Sequence, residues 1–291
     1  MTYDFAGKIM LVTGGAGGIG SAMCRRFAAG GAVVIVVDID EKRAKRVAAD
    51  LPGSGHVGVG CDLVVRDEVR AVFDLVAHTY GRLDVLVNNV GMTSSERFDE
   101  RSIESIEQEI NLNLLSPLVA THIALPLLRA SNDARVISTV SLGGIFPLGE
   151  TPIYTASKFG LRGAMLSIAL DLRDKGIRAG SVMPSAIDTR MLRQEAVDGG
   201  NSMQFQDPPQ QPSDVVATVV SLLDKPRLEA CTRPSEGLLV RLAMVAPNLL
   251  PRLFPPFRKR GERGMARYLE DLRRRGLARL TDGKWELVEE S

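Results

Sequence analysis

Residues 8–20 read Lys-Ile-Met-Leu-Val-Thr-Gly-Gly-Ala-Gly-Gly-Ile-Gly, and this stretch decides the fold. A short apolar run that ends in a glycine-rich turn is typical of a buried strand that feeds a helix. The next strand is predicted over residues 32–38, which read Ala-Val-Val-Ile-Val-Val-Asp. Its β-branched residues lie on both faces, as a parallel sheet covered on both sides requires.

The same alternation of strand and helix continues along the chain. Strand patterns recur at 55–62, 83–88, 135–141 and 178–183, and helical patterns at 21–30, 41–50, 67–80, 103–128 and 154–175. Strict alternation predicts an α/β fold with a doubly wound parallel sheet. The pattern changes near residue 228, where prolines and arginines become frequent. We therefore expect a single domain over residues 1–227 and a C-terminal extension, predicted to be helical, over 228–291.

Composition excludes several classes of protein. The chain has 291 residues, is 45% hydrophobic and carries a net charge of +1, so a large core is expected and no nucleic-acid partner. Cys24, Cys61 and Cys231 have no metal-ligand spacing, so we predict no metal site and free thiols in a reducing cytoplasm. No stretch reaches the roughly 18 uninterrupted apolar residues of a membrane-spanning helix. Residues 1–8 do not resemble a signal peptide.

The glycine-rich turn predicts a dinucleotide site, because glycines let backbone N–H groups approach a pyrophosphate at a helix N-terminus. Asp38 ends the second strand, where a carboxylate accepts hydrogen bonds from the adenosine ribose hydroxyls and repels a 2′-phosphate. NAD is therefore favoured over NADP. Lys42 and Arg43 are near enough in sequence to keep NADP open, and Asp38 as an ordinary strand-end turn residue is the simpler alternative.

Three further residues indicate that a proton is transferred at this site. Tyr154 and Lys158 are four residues apart and share one face of a predicted helix. A fixed ammonium beside a phenol favours the phenolate, so we expect a lowered pKa for Tyr154 and acid–base chemistry near neutral pH. Ser141 lies at the end of a predicted strand. The structural alternatives are a plain helix face for the pair and a strand-end cap for Ser141.

Together these motifs resemble those of the short-chain dehydrogenase/reductases, in the branch with a single Rossmann-type domain. The resemblance runs over about residues 6–190. It is carried by the TGxxxGxG loop at 13–20, the pair Asp62-Leu63, the segment Asn88-Asn89-Val90-Gly91, and Ser141 with Tyr154-Thr-Ala-Ser-Lys158 at the family's spacing. Two features depart from the pattern: Pro184-Ser185 replaces the usual Pro-Gly, and the chain lacks the Asp-Gly-Gly ending typical of tetrameric members.

The resemblance implies roles for particular residues. Ser141 would hold the substrate oxygen, Tyr154 would act as base or acid, and Lys158 would tune Tyr154 and bond the nicotinamide ribose. Asn113 would support a water relay to the lysine, with Asn111 as a competitor for that role. The residues implied to bind the cofactor are Gly14, Gly17, Gly18, Ile19, Gly20, Asp38, Ile39, Asp62, Leu63, Asn89, Gly91, Tyr154, Lys158, Ile187 and Thr189.

Two segments are expected to shape the substrate pocket. Residues 191–212 follow the nicotinamide contacts, and their glycines suit a mobile lid in which Met203 and Phe205 would touch an apolar substrate. The tail resembles that of family members acting on retinoids, steroids or other lipids. Its stretch 237–257 is expected to pack on the domain, to form an oligomer contact, or to lie on a membrane surface.

We therefore expect an oxidoreductase that transfers a hydride between NAD(H) and an apolar secondary alcohol or ketone. An NADPH-dependent 3-oxoacyl or other carbonyl reductase is the nearest alternative. A non-catalytic dinucleotide-binding sensor or membrane-associated scaffold is the alternative from another class. The expected protein is a cytoplasmic homo-oligomer, with peripheral membrane contact through the tail left open.

Overall fold

A computed structural model describes residues 3–288 of the chain, the side chain of Leu253 excepted. Its main sheet has seven parallel strands in the order β3-β2-β1-β4-β5-β6-β7. The strands are β1 Ile9–Thr13, β2 Val33–Asp38, β3 Val57–Gly60, β4 Val85–Asn88, β5 Ala134–Thr139, β6 Ile177–Met183 and β7 Glu229–Cys231. The predicted doubly wound sheet is confirmed. The order reverses between β1 and β4, and the carboxyl ends of these two strands therefore border the crevice in which such folds bind ligands.

Helices cover both faces of the sheet. They are α1 Gly18–Ala29, α2 Glu41–Ala49, α3 Arg66–Tyr80, α4 Ile103–Ile110, α5 Ser116–Arg129, α6 Pro152–Asp171, α7 Arg190–Val197, α8 Pro212–Asp224, α9 Pro234–Ala243 and α10 Leu250–Arg274. All residues of β1 are buried, and so are all of β5. Two apolar cores result, one on each side of the sheet, because side chains of each strand alternate between the two faces.

The long helix predicted over 103–128 is interrupted. A π-helical turn, Asn111–Leu115, joins α4 to α5, and Pro117 lies in the first turn of α5, where a missing N–H is tolerated. The whole stretch Ile103–Arg129 is long and apolar enough to cross a membrane by length and mean composition, although polar residues interrupt its apolar run, as expected from the sequence. In the fold, α5 packs against β4 and β5, and its apolar residues belong to the protein core.

The C-terminal segment contributes more than helices. β7 pairs with β6, so the main sheet takes its last strand from beyond residue 227. The expected helical extension is present as α9 and α10. It is followed by an antiparallel hairpin of β8 Ala278–Thr281 and β9 Lys284–Leu287. β7 was missed by sequence because three residues do not establish a period-2 pattern.

The expected mobile lid is folded and packed. Residues 191–212 contain most of α7 and a 3₁₀ turn, Ser202–Phe205, over which α10 lies. Phe205 is buried against Tyr268 of α10, with 5.4 Å between ring centroids. Phe205 is therefore a core residue, whereas Met203 lines an apolar groove described below. α10 packs on the domain through its later residues, whereas the side chains of Leu238, Leu242 and Val245 are exposed, so the oligomer and membrane contacts expected for 237–257 stay predictions.

Two glycines of α10 permit this close approach. A Cβ on Gly264 would lie 1.8 Å from the carbonyl oxygen of Phe205, and a Cβ on Gly261 would lie 2.3 Å from that of Ser202. Both clashes would be with backbone atoms, which cannot move away by changing rotamer as a flexible side chain can. The helix therefore docks against the turn through a notch that only glycine leaves open.

We predict that Gly264→Ala destabilises the protein by at least about 2 kcal/mol, because the added methyl overpacks the notch. Gly163→Ala is the matched control: it too lies within a helix, and its Cβ would meet no described atom within 4 Å. There we expect a gain of about 0.5–1 kcal/mol from helix propensity. Urea denaturation of both variants measures the difference, and equal stabilities would contradict the packing of α10.

Candidate active site

The glycine loop connects β1 to α1 at the crevice. Gly14 has φ of +61°, in the left-handed region that favours glycine. A Cβ on Gly20 would lie 2.0 Å from the carbonyl oxygen of Gly14, so the loop folds back on the first turn of α1. Gly17 caps α1 without a side-chain hydrogen bond, and the first turn of α1 holds no acidic residue in the described chain. Its backbone N–H groups are therefore suited to an anionic ligand.

Asp38 and Arg43 both contact the same loop residue. The Asp38 carboxylate accepts a hydrogen bond from the Ala16 N–H at 3.1 Å. The Arg43 guanidinium donates to the Ala16 carbonyl, also at 3.1 Å. The carboxylate expected to favour NAD and one of the basic groups that left NADP open thus contact the same residue, Ala16, from its two adjacent peptide units. Ile39 follows Asp38 and is 73% exposed, which leaves an apolar surface next to the loop.

The other residues expected to bind the cofactor lie along the same edge of the sheet. Asp62 and Leu63 follow β3; the Asp62 carboxylate accepts from the Val64 N–H at 3.1 Å, and Leu63 is buried. A second group lines one cleft together with the predicted catalytic residues: Ile19, Asn89, Gly91, Ile187 and Thr189. Within this group, the Asn89 amide accepts from Thr139 and donates to the Thr13 and Gly14 carbonyls, which ties β4 to β1.

The structure brings Ser141, Tyr154 and Lys158 to this cleft. Ser141 follows β5, and its hydroxyl accepts from the Gly143 N–H at 3.0 Å. Tyr154 and Lys158 lie one turn apart on α6, with the Lys158 ammonium 5.6 Å from the Tyr154 ring centroid. The Lys158 Nζ donates to the Thr139 carbonyl at 3.1 Å. The three side chains therefore converge from two elements that belong to the rigid core.

The expected lowering of the Tyr154 pKa is wrong for this structure. Burial raises the pKa of Tyr154 to about 12, and hydrogen bonding with Ser141 opposes this only in part. The carboxylates of Glu195 and Glu109 raise it further. Burial also lowers the pKa of Lys158 to about 8. The sequence argument considered the ammonium alone, whereas the desolvation of a buried phenolate is the larger effect here.

Asn113 and Asn111 differ sharply in their surroundings. Asn113 is fully buried in the π-helical turn, and its amide both donates to the Met92 carbonyl and accepts from the Met92 N–H, each at 2.8 Å. It also donates to Ser157 on α6. Asn111 is exposed. A Cβ on Gly91 would lie 3.3 Å from the Lys158 Nζ and 3.5 Å from the Asn113 Oδ1, which places Asn113 at the lysine end of the cleft.

Asp188 anchors the loop that follows β6. Its buried carboxylate accepts hydrogen bonds from Arg193 at 2.8 Å and from the Tyr268 hydroxyl at 2.7 Å, and pairs with Arg275 at 2.8 Å. Burial raises its pKa, but these hydrogen bonds outweigh burial and keep the pKa below its usual value. The next residue, Thr189, caps α7 and lines the cleft. The C-terminal extension is thus tied to the residue beside a predicted cofactor contact.

Sequence reasoning missed Glu195, which is 5% exposed and lines the catalytic cleft from α7. Its Oε1 accepts from the Gln204 amide at 2.6 Å and from the Asn201 N–H at 3.3 Å. Burial raises its pKa to about 7, a rise that these hydrogen bonds oppose and that Glu150 and Glu109 increase. Nothing in the sequence distinguishes this glutamate from a surface residue of an amphipathic helix.

An apolar groove of about 430 Å³ opens from the catalytic residues. Ser141 and Gln204 line both the cleft and the groove. The far walls of the groove come from the extension, with Leu239 and Leu242 on α9 and Phe254 on α10. Opposite α10, Phe146 stacks on Phe254 with 5.5 Å between ring centroids. The space that begins at the serine thus has a mainly apolar lining, and its charged residues are Asp207, Arg233, Glu236 and Arg260.

Fold and cleft define a dinucleotide-binding oxidoreductase. Residues 8–198 match the family model described as short chain dehydrogenase. L-Fucose dehydrogenase of Bos taurus is 34% identical over 197 residues, covering 67% of this chain and 72% of the relative. D-Threitol dehydrogenase of Mycolicibacterium smegmatis is 32% identical over 202 residues, covering 68% and 77%. The chain belongs to the short-chain dehydrogenase family, and the identification from its motifs is confirmed.

Solved structures show the same fold. A short-chain dehydrogenase/reductase from Burkholderia phymatum, in complex with NAD, superposes with a TM-score of 0.77 at 22% identity, covering 85% of this chain and 96% of that one. A 3-ketoacyl-(acyl-carrier-protein) reductase from Brucella melitensis, complexed with NADH, gives a TM-score of 0.70 at 24% identity over 79% of this chain and 99% of that one. The family match ends at residue 198, before the extension that walls the groove.

We predict that the Glu195 carboxylate destabilises the fold as pH rises. Its folded pKa, about 7, lies above its ordinary value of 4.5, so the folded state holds the proton more tightly and loses stability as pH rises through 7. Relative to that of Glu195→Gln, the free energy of unfolding of the wild type should fall by about 3 kcal/mol between pH 5 and pH 8. Urea denaturation at both pH values measures this. The exposed control Glu262→Gln should show no such trend, and a flat difference for Glu195→Gln would refute the prediction.

Proposed function

We propose that this protein is an NAD-dependent oxidoreductase that interconverts an apolar secondary alcohol and its ketone. The observation that carries the proposal is the position of Ser141, which lines both the cleft shared with Tyr154 and Lys158 and the apolar groove. A substrate whose apolar part fills the groove would present its oxygen to the serine. Relatives named as dehydrogenases of L-fucose and D-threitol support dehydrogenation as the reaction, while the groove favours an apolar substrate here.

The residues present fit a dinucleotide. The uncapped start of α1 suits a diphosphate, Asp38 suits ribose hydroxyls, and the small Gly91 leaves room beside Lys158. When bound, oxidised NAD supplies a hydride acceptor with a positively charged ring. Lys158, held by the Thr139 carbonyl, would bond the nicotinamide ribose, and Thr189 would contact the carboxamide.

The chain's own groups would handle the proton. Ser141 would donate a hydrogen bond to the substrate oxygen and stabilise the charge that develops there. Tyr154 would take the hydroxyl proton in oxidation and return it in reduction. Burial keeps Tyr154 protonated at neutral pH, so Tyr154 can donate a proton in reduction. Oxidation requires the phenolate, and positive charge in the cleft would lower the pKa of Tyr154 to favour it.

We predict that Tyr154→Phe lowers kcat by about 10²–10⁴-fold, the usual contribution of a positioned acid or base. NAD binding, measured by calorimetry, should change less than threefold, because the ring is retained. Tyr80→Phe, on α3, removes a hydroxyl that donates to the Gly55 carbonyl away from the cleft and is the matched control. Full turnover by Tyr154→Phe would contradict the role of Tyr154 as the acid and base.

We predict that Asp38→Asn lowers the preference for NAD over NADP at least tenfold. Asparagine still accepts from the Ala16 N–H, so the loop is preserved, but the charge that repels a 2′-phosphate is lost. Asp40→Asn, at the N-cap of α2, is the control, since asparagine is an equally good cap. Calorimetric titration with both dinucleotides gives the ratio. If the wild type preferred NADP, Arg43 would be the group beside the loop that binds the 2′-phosphate, and the carbonyl reductase alternative would be favoured.

A further inference from the structure

Glu195 is a buried carboxylate in the catalytic cleft that the reaction described above does not use. It reaches the cleft from α7 and is 5% exposed. Its Oε1 is satisfied by Gln204 and by the Asn201 N–H. Its Oε2 makes no hydrogen bond to any residue within 3–288. Oε2 is not among the buried polar atoms that lack a partner, so it is accessible from the cleft and can accept a hydrogen bond from a ligand there.

The surrounding loop is shaped to hold this carboxylate in place. A Cβ on Gly200 would lie 2.6 Å from the Glu195 Cγ, so the loop passes directly over the side chain only because glycine stands there. Asn201 is fully buried and turns the chain into the 3₁₀ helix that carries Gln204. Gln204 itself lines both the cleft and the apolar groove. The carboxylate therefore stands where the reacting end of a groove-bound substrate would lie.

The charges nearby limit what Glu195 can bind. Glu195 interacts electrostatically with the carboxylates of Glu150 and Glu109 and with the phenol of Tyr154. The Lys158 ammonium lines the same cleft. A cationic ligand would be repelled by Lys158, and an anionic one by Glu195 itself, since Glu109 is paired with Arg101 and Glu150 with Arg258. A purely apolar ligand would leave Oε2 unpaired. A neutral hydrogen-bond donor satisfies every one of these conditions.

We propose that Glu195 is a substrate-binding residue that accepts a hydrogen bond from a second hydroxyl of the substrate, next to the carbon that reacts. The preferred substrates are then 1,2-diols, or the matching hydroxyketones, on an apolar frame. This inference rests on the proposed function, because it assigns the substrate class of the same cleft. Sites built to bond a hydroxyl reject analogues that lack it far more strongly than apolar pockets reject a missing methylene.

The test compares matched alcohols with and without the second hydroxyl. The pairs are cyclohexane-1,2-diol with cyclohexanol, 1-phenylethane-1,2-diol with 1-phenylethanol, and octane-1,2-diol with 2-octanol. For the wild type with NAD we expect kcat/KM to be at least tenfold higher for the diol of any pair that is turned over. Glu195→Leu should reduce that ratio at least tenfold. Glu195→Gln, which keeps Oε1 and its two donors, should reduce the diol-to-alcohol ratio at least threefold. If the leucine variant fails to fold, the glutamine variant alone tests the inference.

Glu262→Gln, an exposed carboxylate on α10, is the control and should leave the diol-to-alcohol ratio unchanged. Equal kcat/KM for diol and alcohol in the wild type would overturn the inference while leaving the proposed function intact. So would a Glu195→Gln enzyme whose ratio is unchanged while its NAD affinity falls tenfold, since Glu195 would then contact the cofactor. A wild-type preference for 2-aminocyclohexanol over the diol would also overturn it. Failure of all six alcohols with both NAD and NADP would reject the proposed function itself.

Discussion

The hydrogen bonds and ion pairs of the buried Asp188 carboxylate are the interactions on which the cleft wall at α7 and the packing of the C-terminal segment depend. This carboxylate joins the loop after β6 to α7 through Arg193 and to the C-terminal segment through Tyr268 and Arg275. Removing one partner of such a buried charge typically costs about 3–5 kcal/mol, because the remaining charge is left uncompensated. The residue next to it, Thr189, lines the cleft, and α7 carries Glu195. The Asp188 network and the apolar packing of Phe205 against Tyr268 therefore together hold α7 and α10 beside the cleft.

The two halves of the site are built on different principles. The cofactor half uses backbone: a glycine loop, a helix start without a capping side chain, and strand ends at the reversal of strand order. The half predicted to transfer the proton uses side chains: Ser141 directly after β5, and Tyr154 and the buried Lys158 on α6. Asn113 links these halves, since its amide holds the Met92 backbone and the Ser157 hydroxyl together from within the π-helical turn. Such turns are rare and occur often at functional sites.

The sequence predicts the sheet, and it picks out Ser141, Tyr154 and Lys158, which the structure brings to one cleft, because both depend on local pattern. Strand periodicity, the glycine loop and the Tyr154–Lys158 spacing are each contained within a few residues. The features that sequence missed depend on contacts between distant segments. β7 is recognisable only beside β6, and the fixed position of residues 191–212 requires α10, some sixty residues later. The raised pKa of Tyr154 reflects burial, and burial is a property of the assembled fold.

The groove has a consequence for how this chain relates to its family. The matching region ends at residue 198, yet Leu239, Leu242 and Phe254 wall the groove from well beyond it. The groove is therefore built by two stretches of one polypeptide, since Ser141 and Phe146 line it from within the family region. Mutations in the later stretch can reshape one wall of the groove without altering Tyr154 or Lys158. Likeness over residues 8–198 thus identifies the family, whereas the wall that α9 and α10 supply has to be examined in each chain separately.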